Sequence, residues 1–304
     1  MNWSEYNKKL VKRGNINFWI SEDVAQWWLV KASGGRGRPL VYTDKAIETC
    51  LIISYLFKMP LRMTEGFFNS FFARENLQLK VPCYTQMSRR ASSIKLPEIK
   101  IIPGQKVNLA FDSTGLKVFG EGEWKVRMHG ASKRRVWRKL HVAVDTETLL
   151  IAGVSLTKNS IDDAQVAVQM LTEKFVGQVK NVLGDGAYDK AKVYKAAREI
   201  GANLIAPPAH NAKQQRTLID PAKLPRDNAI ARIRMLGNDE AARKEWKKES
   251  GYHQRSLAET TMYRFKSTFS GRLQHRKIEN QDIEVAIKVN ILNHFAKIGF
   301  GGLR

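Results

Sequence analysis

Val107-Asn108-Leu109-Ala110-Phe111-Asp112-Ser113-Thr114-Gly115 is the stretch at which the chain changes character. What precedes it is patterned for helices; 107–111 reads as a strand that carries a carboxylate, Asp112, at its C-terminal end. Working outward, 137–144 and 151–156 read as two more strands. A helix over 163–175 follows, then a strand at 181–184, a helix capped by Asp189 and running to about Ile200, and a short strand at 203–206. Three strands followed by helix, strand, helix, strand predict an α/β domain built on a mixed sheet with helices on its faces. The fourth strand leads into Gly184-Asp185-Gly186-Ala187-Tyr188-Asp189. Asp185 is thus expected at a strand end, as Asp112 is, where open α/β sheets place their chemistry. The glycines beside both let backbone and ligand approach closely. Two carboxylates can hold a hard divalent cation such as Mg²⁺; taken singly, a strand-end aspartate is also a common turn cap.

Upstream, helices are expected over 21–33 (Ser21 as cap), from Thr43 to about Met59, over 63–75 with Phe67, Phe68, Phe71 and Phe72 as core, and over 85–94 with Arg89 and Arg90 near its middle. Three short helices with a basic last one fit either a helix-turn-helix that enters the major groove or a small bundle with a polar face. Residues 97–103 read as a linker. The expected organisation is therefore an N-terminal all-α region, 1–102, and a second domain, 103–304. Residues 207–250 read as an irregular, polar insertion in that second domain. A long helix from about His253 to Phe269 and an amphipathic one over 280–297 close the chain.

Charge narrows the function. The 304 residues hold 51 Lys+Arg against 29 Asp+Glu, a net charge of +22. Such self-repulsion suits a polyanion partner, and in the cytoplasm that is most often nucleic acid. The longest apolar run, 50–57, is too short to span a bilayer, and the first residues carry no signal pattern, so no membrane partner and a cytoplasmic, nucleoid-associated location are expected. Two distant cysteines exclude a disulfide framework and a cysteine-based zinc site. Between 125 and 144 stand Lys125, Arg127, Lys133, Arg134, Arg135, Arg138 and Lys139, with Trp124 and Trp137 among them and no acid before Asp145. Basic residues among aromatics suit phosphate contact with base stacking; the two tryptophans fit core packing equally well. Arg36-Gly37-Arg38-Pro39 reads as a basic linker tracking phosphates or as a minor-groove hook.

Tyr252, Arg255, Glu259 and Lys266 lie 0, 3, 7 and 14 positions along the expected helix. At about 100° per residue all four share one face. An exposed Arg255–Glu259 pair accounts for two of them but not four. With Asp112 and Asp185, Glu259 could bind a metal pair about 4 Å apart, as in-line displacement at phosphorus needs.

These residues resemble the bacterial insertion-sequence transposases of the DDE class, in the branch marked by Tyr, two residues, Arg, three residues, Glu, six residues, Lys. The similarity extends to Asp112-Ser113-Thr114-Gly115-Leu116-Lys117, to 122–127, to 134–141, to 185–189 and to 36–44. Pro207-Pro208-Ala209-His210 and Arg226-Asp227-Asn228 depart from the family pattern. The resemblance implies a ribonuclease-H-like (retroviral-integrase-like) catalytic domain with Asp112, Asp185 and Glu259 as catalytic and metal-binding residues. It further implies two Mg²⁺ ions, with Mn²⁺ able to substitute, and hydrolytic nicking of element ends followed by transesterification into target DNA. Double-stranded DNA, as terminal inverted repeats and target, is the implied partner, handled by a homodimer or larger synaptic assembly. The rival readings are a transposase-derived DNA-binding regulator without catalysis and a nuclease that cuts without joining.

Overall fold

The computed structural model describes residues 2–31, 39–95, 106–118, 137–175, 177–216 and 220–299. The chain divides into two compact units, Ile99–Lys117 with Arg134–Arg264, and Met1–Glu98 with Val118–Lys133 and Phe265–Arg304.

In the first of these, strand β1 (Val107–Val118) is more than twice as long as its apolar half suggests. Strand β2 (Trp137–Asp145) runs antiparallel to it from Leu109↔Asp145 to Lys117↔Trp137, and β3 (Ile151–Lys158) continues antiparallel to β2. Helix α6 (Asp163–Lys174) leads to β4 (Val179–Leu183), which pairs parallel with β1 up to Ala110↔Leu183. The next helix, α7 (Ala191–Glu199), leads to β5 (Asn203–Ile205), parallel to β4. The path β3-β2-β1-β4-β5 is the expected mixed sheet. Alternation along β1 sets the faces: Val107, Leu109 and Phe111 are buried in one core with Met170 and Leu171 of α6 and Tyr194 and Ala197 of α7.

Two expectations fail here. Asp189 does not cap α7; it accepts from Arg226 Nε at 2.8 Å and Tyr194 Oη at 3.1 Å, binding the sheet domain to the segment after it. That segment is not irregular. Helices α8 (Leu224–Met235) and α9 (Glu240–Glu249) form a hairpin with its own small core of Ala229, Ile233, Ala242 and Trp246, against which Ile205 packs. Few apolar residues suffice because the core is narrow, so the strongly charged sequence hid it.

The other unit begins with α1 (Trp3–Lys12). The expected helix over 21–33 reduces to α2 (Val24–Trp27), since Val30 N donates to Val41 O and Leu29 bridges Tyr42. Trp28 is fully buried there, its ring centroid 4.9 Å from Phe72 and 5.4 Å from Phe68, its Nε1 donating to Lys80 O. The next helix, α3 (Asp44–Leu56), starts where expected, with Thr43 Oγ1 accepting from Ala46 N. It ends at Leu56, short of the expected Met59, with Lys58 in the left-handed region, and Pro60 precedes α4 (Leu61–Arg74). Helix α5 (Tyr84–Arg90) has Cys83 at its N-cap, begins one residue before the expected 85–94 and ends four residues short of it. Helix α10 (Ser256–Phe269) runs between the units in sequence, and α11 (Ile278–Gly299) packs on α1 and α3. Among the described residues no helix is long and apolar enough to cross a membrane.

Candidate active site

Asp112 is not at the C-terminal end of its strand. β1 continues to Val118 because β2 pairs with it throughout, and Asp112 stands opposite Val142 in mid-ladder. It is nevertheless at the end of something: the parallel neighbour. The β1–β4 ladder stops at Ala110↔Leu183, so Asp112 and Asp185 each lie two residues beyond the last pair. Parallel register thus brings the two carboxylates to one level of the sheet.

Asp185 opens a tight turn, Gly186–Tyr188, and its Oδ1 accepts from Ala187 N at 2.8 Å. Tyr188 folds back beneath this turn, 2% exposed, its ring edge-on to Phe111 at 6.2 Å. Gly184 makes this possible, since a Cβ there would meet the Tyr188 side chain at 2.7 Å. The glycine therefore serves packing and not, as expected, a ligand's approach.

Tyr252 and Arg255 are not on the long helix. They form a 3-10 turn, Tyr252–Arg255, entered through Gly251 with φ 72°, and α10 begins only at Ser256. The left-handed step is open to glycine at little cost. Three of the four signature residues still meet: Arg255 Nε donates to Tyr252 Oη at 3.2 Å, and its two terminal nitrogens donate to Glu259 Oε1 at 3.0 and 2.6 Å. Lys266 is exposed on α10, seven positions beyond Glu259. The turn is anchored by residues the sequence reading passed over. Thr146 donates to Gln254 Oε1 at 3.2 Å, and the Trp246 ring lies 6.1 Å from that of Tyr252. Trp246, the lone aromatic of α9, was the available signal.

Electrostatics unites the group. Burial pushes the Asp112 carboxyl above the usual range; its Ser113 N–H bond and Arg255 oppose this, and the negative Asp185 and Glu259 add to it. The Tyr252 phenol is likewise raised by burial, against Arg255 and with the three carboxylates. Hard oxygen donors and crowded negative charge are the chemistry a divalent cation takes. Among the described residues, however, no three acidic, histidine or cysteine side chains stand close enough to share one ion. Each carboxylate already has a partner: Ser113 N for Asp112, Ala187 N for Asp185 and Arg255 for Glu259.

The expected DNA-contact residues divide. Arg36, Arg38, Trp124, Lys125, Arg127, Arg134 and Arg135 lie outside the described residues, as does the 97–103 linker. Lys139 is turned to Asp163 at 3.0 Å and Ile161 O at 2.8 Å. Trp137 is half-buried, covering Gly115, with Lys117 Nζ 5.6 Å from its ring. Arg138 alternates to the face of the sheet that bears Asp112. Arg89 is exposed, whereas Arg90 is ion-paired to Asp44 and donates to Tyr42 O at 3.1 Å.

With this site in view, the similarities to known proteins fall into place. Residues 103–293 match a transposase DDE domain family model, and residues 11–121 match a second transposase DDE domain model. The chain belongs to the DDE transposase family. It is also similar in structure to a piggyBac transposase synaptic complex with hairpin DNA, at 9% identity and TM-score 0.29, covering 97% of this chain and 82% of that one. A Drosophila P element transposase strand transfer complex matches at 12% identity and TM-score 0.33, covering 96% and 86%.

Proposed function

We propose that this DDE transposase binds the terminal inverted repeats of its element, nicks their ends with water and joins the freed 3′-OH groups to target DNA. The observation that carries the reading is the position of Asp112 and Asp185 at one level beyond the β1–β4 ladder, within the field of Glu259. Asp112, Asp185 and Glu259 would hold Mg²⁺, or Mn²⁺ in its place, as two ions that neutralise phosphate oxygens and activate the attacking oxygen.

The chain's own residues supply positioning. Arg255 grips one oxygen of the Glu259 carboxylate and would aim it toward the aspartates. Tyr252, with its phenol raised and its oxygen accepting from Arg255, keeps a proton to donate to a phosphate oxygen. Lys266 supplies a charge for a flanking phosphate. Helices α3–α5 would read the inverted repeat, with exposed Arg89 at the DNA and Arg90 bracing the fold. The basic segment with Trp124 and Trp137, and Arg36 and Arg38, would hold the strand backbone. Two ends must be held together, so the working form is a homodimer or larger synaptic assembly acting on nucleoid DNA in the cytoplasm.

A labelled-DNA assay with the element's own ends tests this. Nicked and joined products with Mg²⁺, and neither with EDTA, support it. Cutting without joining makes the chain a nuclease; binding alone makes it a regulator.

A further inference from the structure

A small cleft on the α8–α9 hairpin holds an arginine without a counter-charge. Arg243 is 8% exposed, and its terminal nitrogens donate only to the carbonyls of Pro208, at 2.8 Å, and Ala209, at 3.3 Å. Its Nε has no partner among the described residues, and no carboxylate there pairs with it. A buried charge is normally paired, because leaving one uncompensated is strongly unfavourable.

The cleft beside it, about 210 Å³, is also lined by Arg234, Lys213 and His210, and by no Asp or Glu. Arg234 donates to Gln214 Oε1 at 3.2 Å and Ala212 O at 3.4 Å, which orients its guanidinium without neutralising it. The volume is below the range of about 300–1,000 Å³ usual for whole small molecules, so a group fits and a nucleotide does not. Two guanidiniums with an ammonium are matched to phosphate oxygens.

We infer that this cleft is a phosphate-binding subsite that takes one backbone phosphate of the DNA strand, outside the acidic centre. The inference rests on the proposed function for the source of that phosphate, and on Arg243 for its existence. Position supports it: Arg243 is one turn before Trp246 on α9, and Trp246 packs on Tyr252. A phosphate seated there fixes the duplex relative to the site through a rigid helix.

Two measurements on the full chain test it. The first is thermal melting in sodium phosphate against sodium chloride at equal ionic strength. Wild type gains stability in phosphate, and Arg234→Ala, Lys213→Ala and Arg243→Gln lose that gain, while Lys195→Ala, which removes an exposed charge outside the cleft, keeps it. The second is affinity for a duplex of arbitrary sequence against salt. Arg234→Ala lowers the log–log slope by about 1 relative to Lys195→Ala, as one lost phosphate contact does. Arg234→Ala and Lys213→Ala change exposed side chains, so they report even if Arg243→Gln fails to fold. A phosphate gain with unchanged slopes overturns DNA as the source and leaves a free-phosphate site. No phosphate gain, or an equal gain in all variants, overturns the subsite. A wild type that binds no duplex fails the transposase reading, while its melting in phosphate still decides whether the cleft takes the anion.

Discussion

Both terminal nitrogens of Arg255 donate to the same oxygen of Glu259, at 3.0 and 2.6 Å. Arg255 is the more enclosed partner, its side chain 15% exposed against 57% for Glu259, so the arginine is the fixed post and the carboxylate the movable one. Because the carboxylate half is exposed, the ion pair itself contributes little to stability. Arg255→Ala is therefore expected to shift thermal melting only slightly. Strand cleavage should fall by about 10²-fold, the usual effect of removing one positioned charge donor. Equal loss of stability and activity would make Arg255 a structural brace instead.

The N-terminal helices allow a similar separation. Arg90 is tied to Asp44 and to Tyr42 O, whereas Arg89 is exposed one position earlier. Arg90→Ala should cost about 1 kcal/mol of stability, through a lost charge-assisted bond. Arg89→Ala should leave melting unchanged and weaken duplex binding. Urea titration and fluorescence anisotropy on both variants check this pair of outcomes.

His141 gives the fold a pH dependence. It is 2% exposed, its Nε2 lies 2.9 Å from Thr157 Oγ1, and its Nδ1 lies 3.4 Å from Asp163 Oδ1. Burial lowers its pKa to about 4, with Asp163 opposing and Lys139 assisting. Between about pH 6.5 and 4 the unfolded chain binds the proton that the folded chain refuses, so stability falls as pH drops through this window. Melting followed from pH 7 to 4 should show a steeper decline for wild type than for His141→Asn. Parallel curves would remove His141 from the account.

Lys288 and Glu284 are both fully buried, ion-paired to each other, with Glu284 also accepting from Gln274 N and His275 N. Lys288→Met alone should cost about 3–5 kcal/mol, because it strands the carboxylate. Lys288→Met with Glu284→Gln should recover most of that in chemical denaturation. A double variant as unstable as the single one contradicts the pairing.

What the residues disclosed unaided follows from where the physics is local. Thr43 as a cap, the succession of strands and helices along 107–205 and the spacing of Tyr252, Arg255 and Glu259 depend on neighbours within a few positions, and they stand in the structure. Asp112 was misplaced within its strand because Ser113, Thr114 and Gly115 carry no apolar pattern; only pairing with β2 keeps them extended. The α8–α9 hairpin was missed because its core is four side chains in a charged background. The helix over 21–33 is shorter than Ser21 and the acids after it suggest, because Trp28 is held by Phe68, Phe72 and Lys80, all distant in sequence. Nor does sequence spacing reveal that Arg243 is buried without a carboxylate.

The most direct measurement compares wild type with Glu259→Gln on labelled DNA carrying the element's ends in Mg²⁺, reading binding by band shift and chemistry by strand cleavage and joining. The substitution keeps shape and removes charge. Wild type is expected to cut and join, and Glu259→Gln to bind with similar affinity and do neither. Cleavage by Glu259→Gln at the wild-type rate would contradict the assignment of Asp112, Asp185 and Glu259 as one catalytic centre.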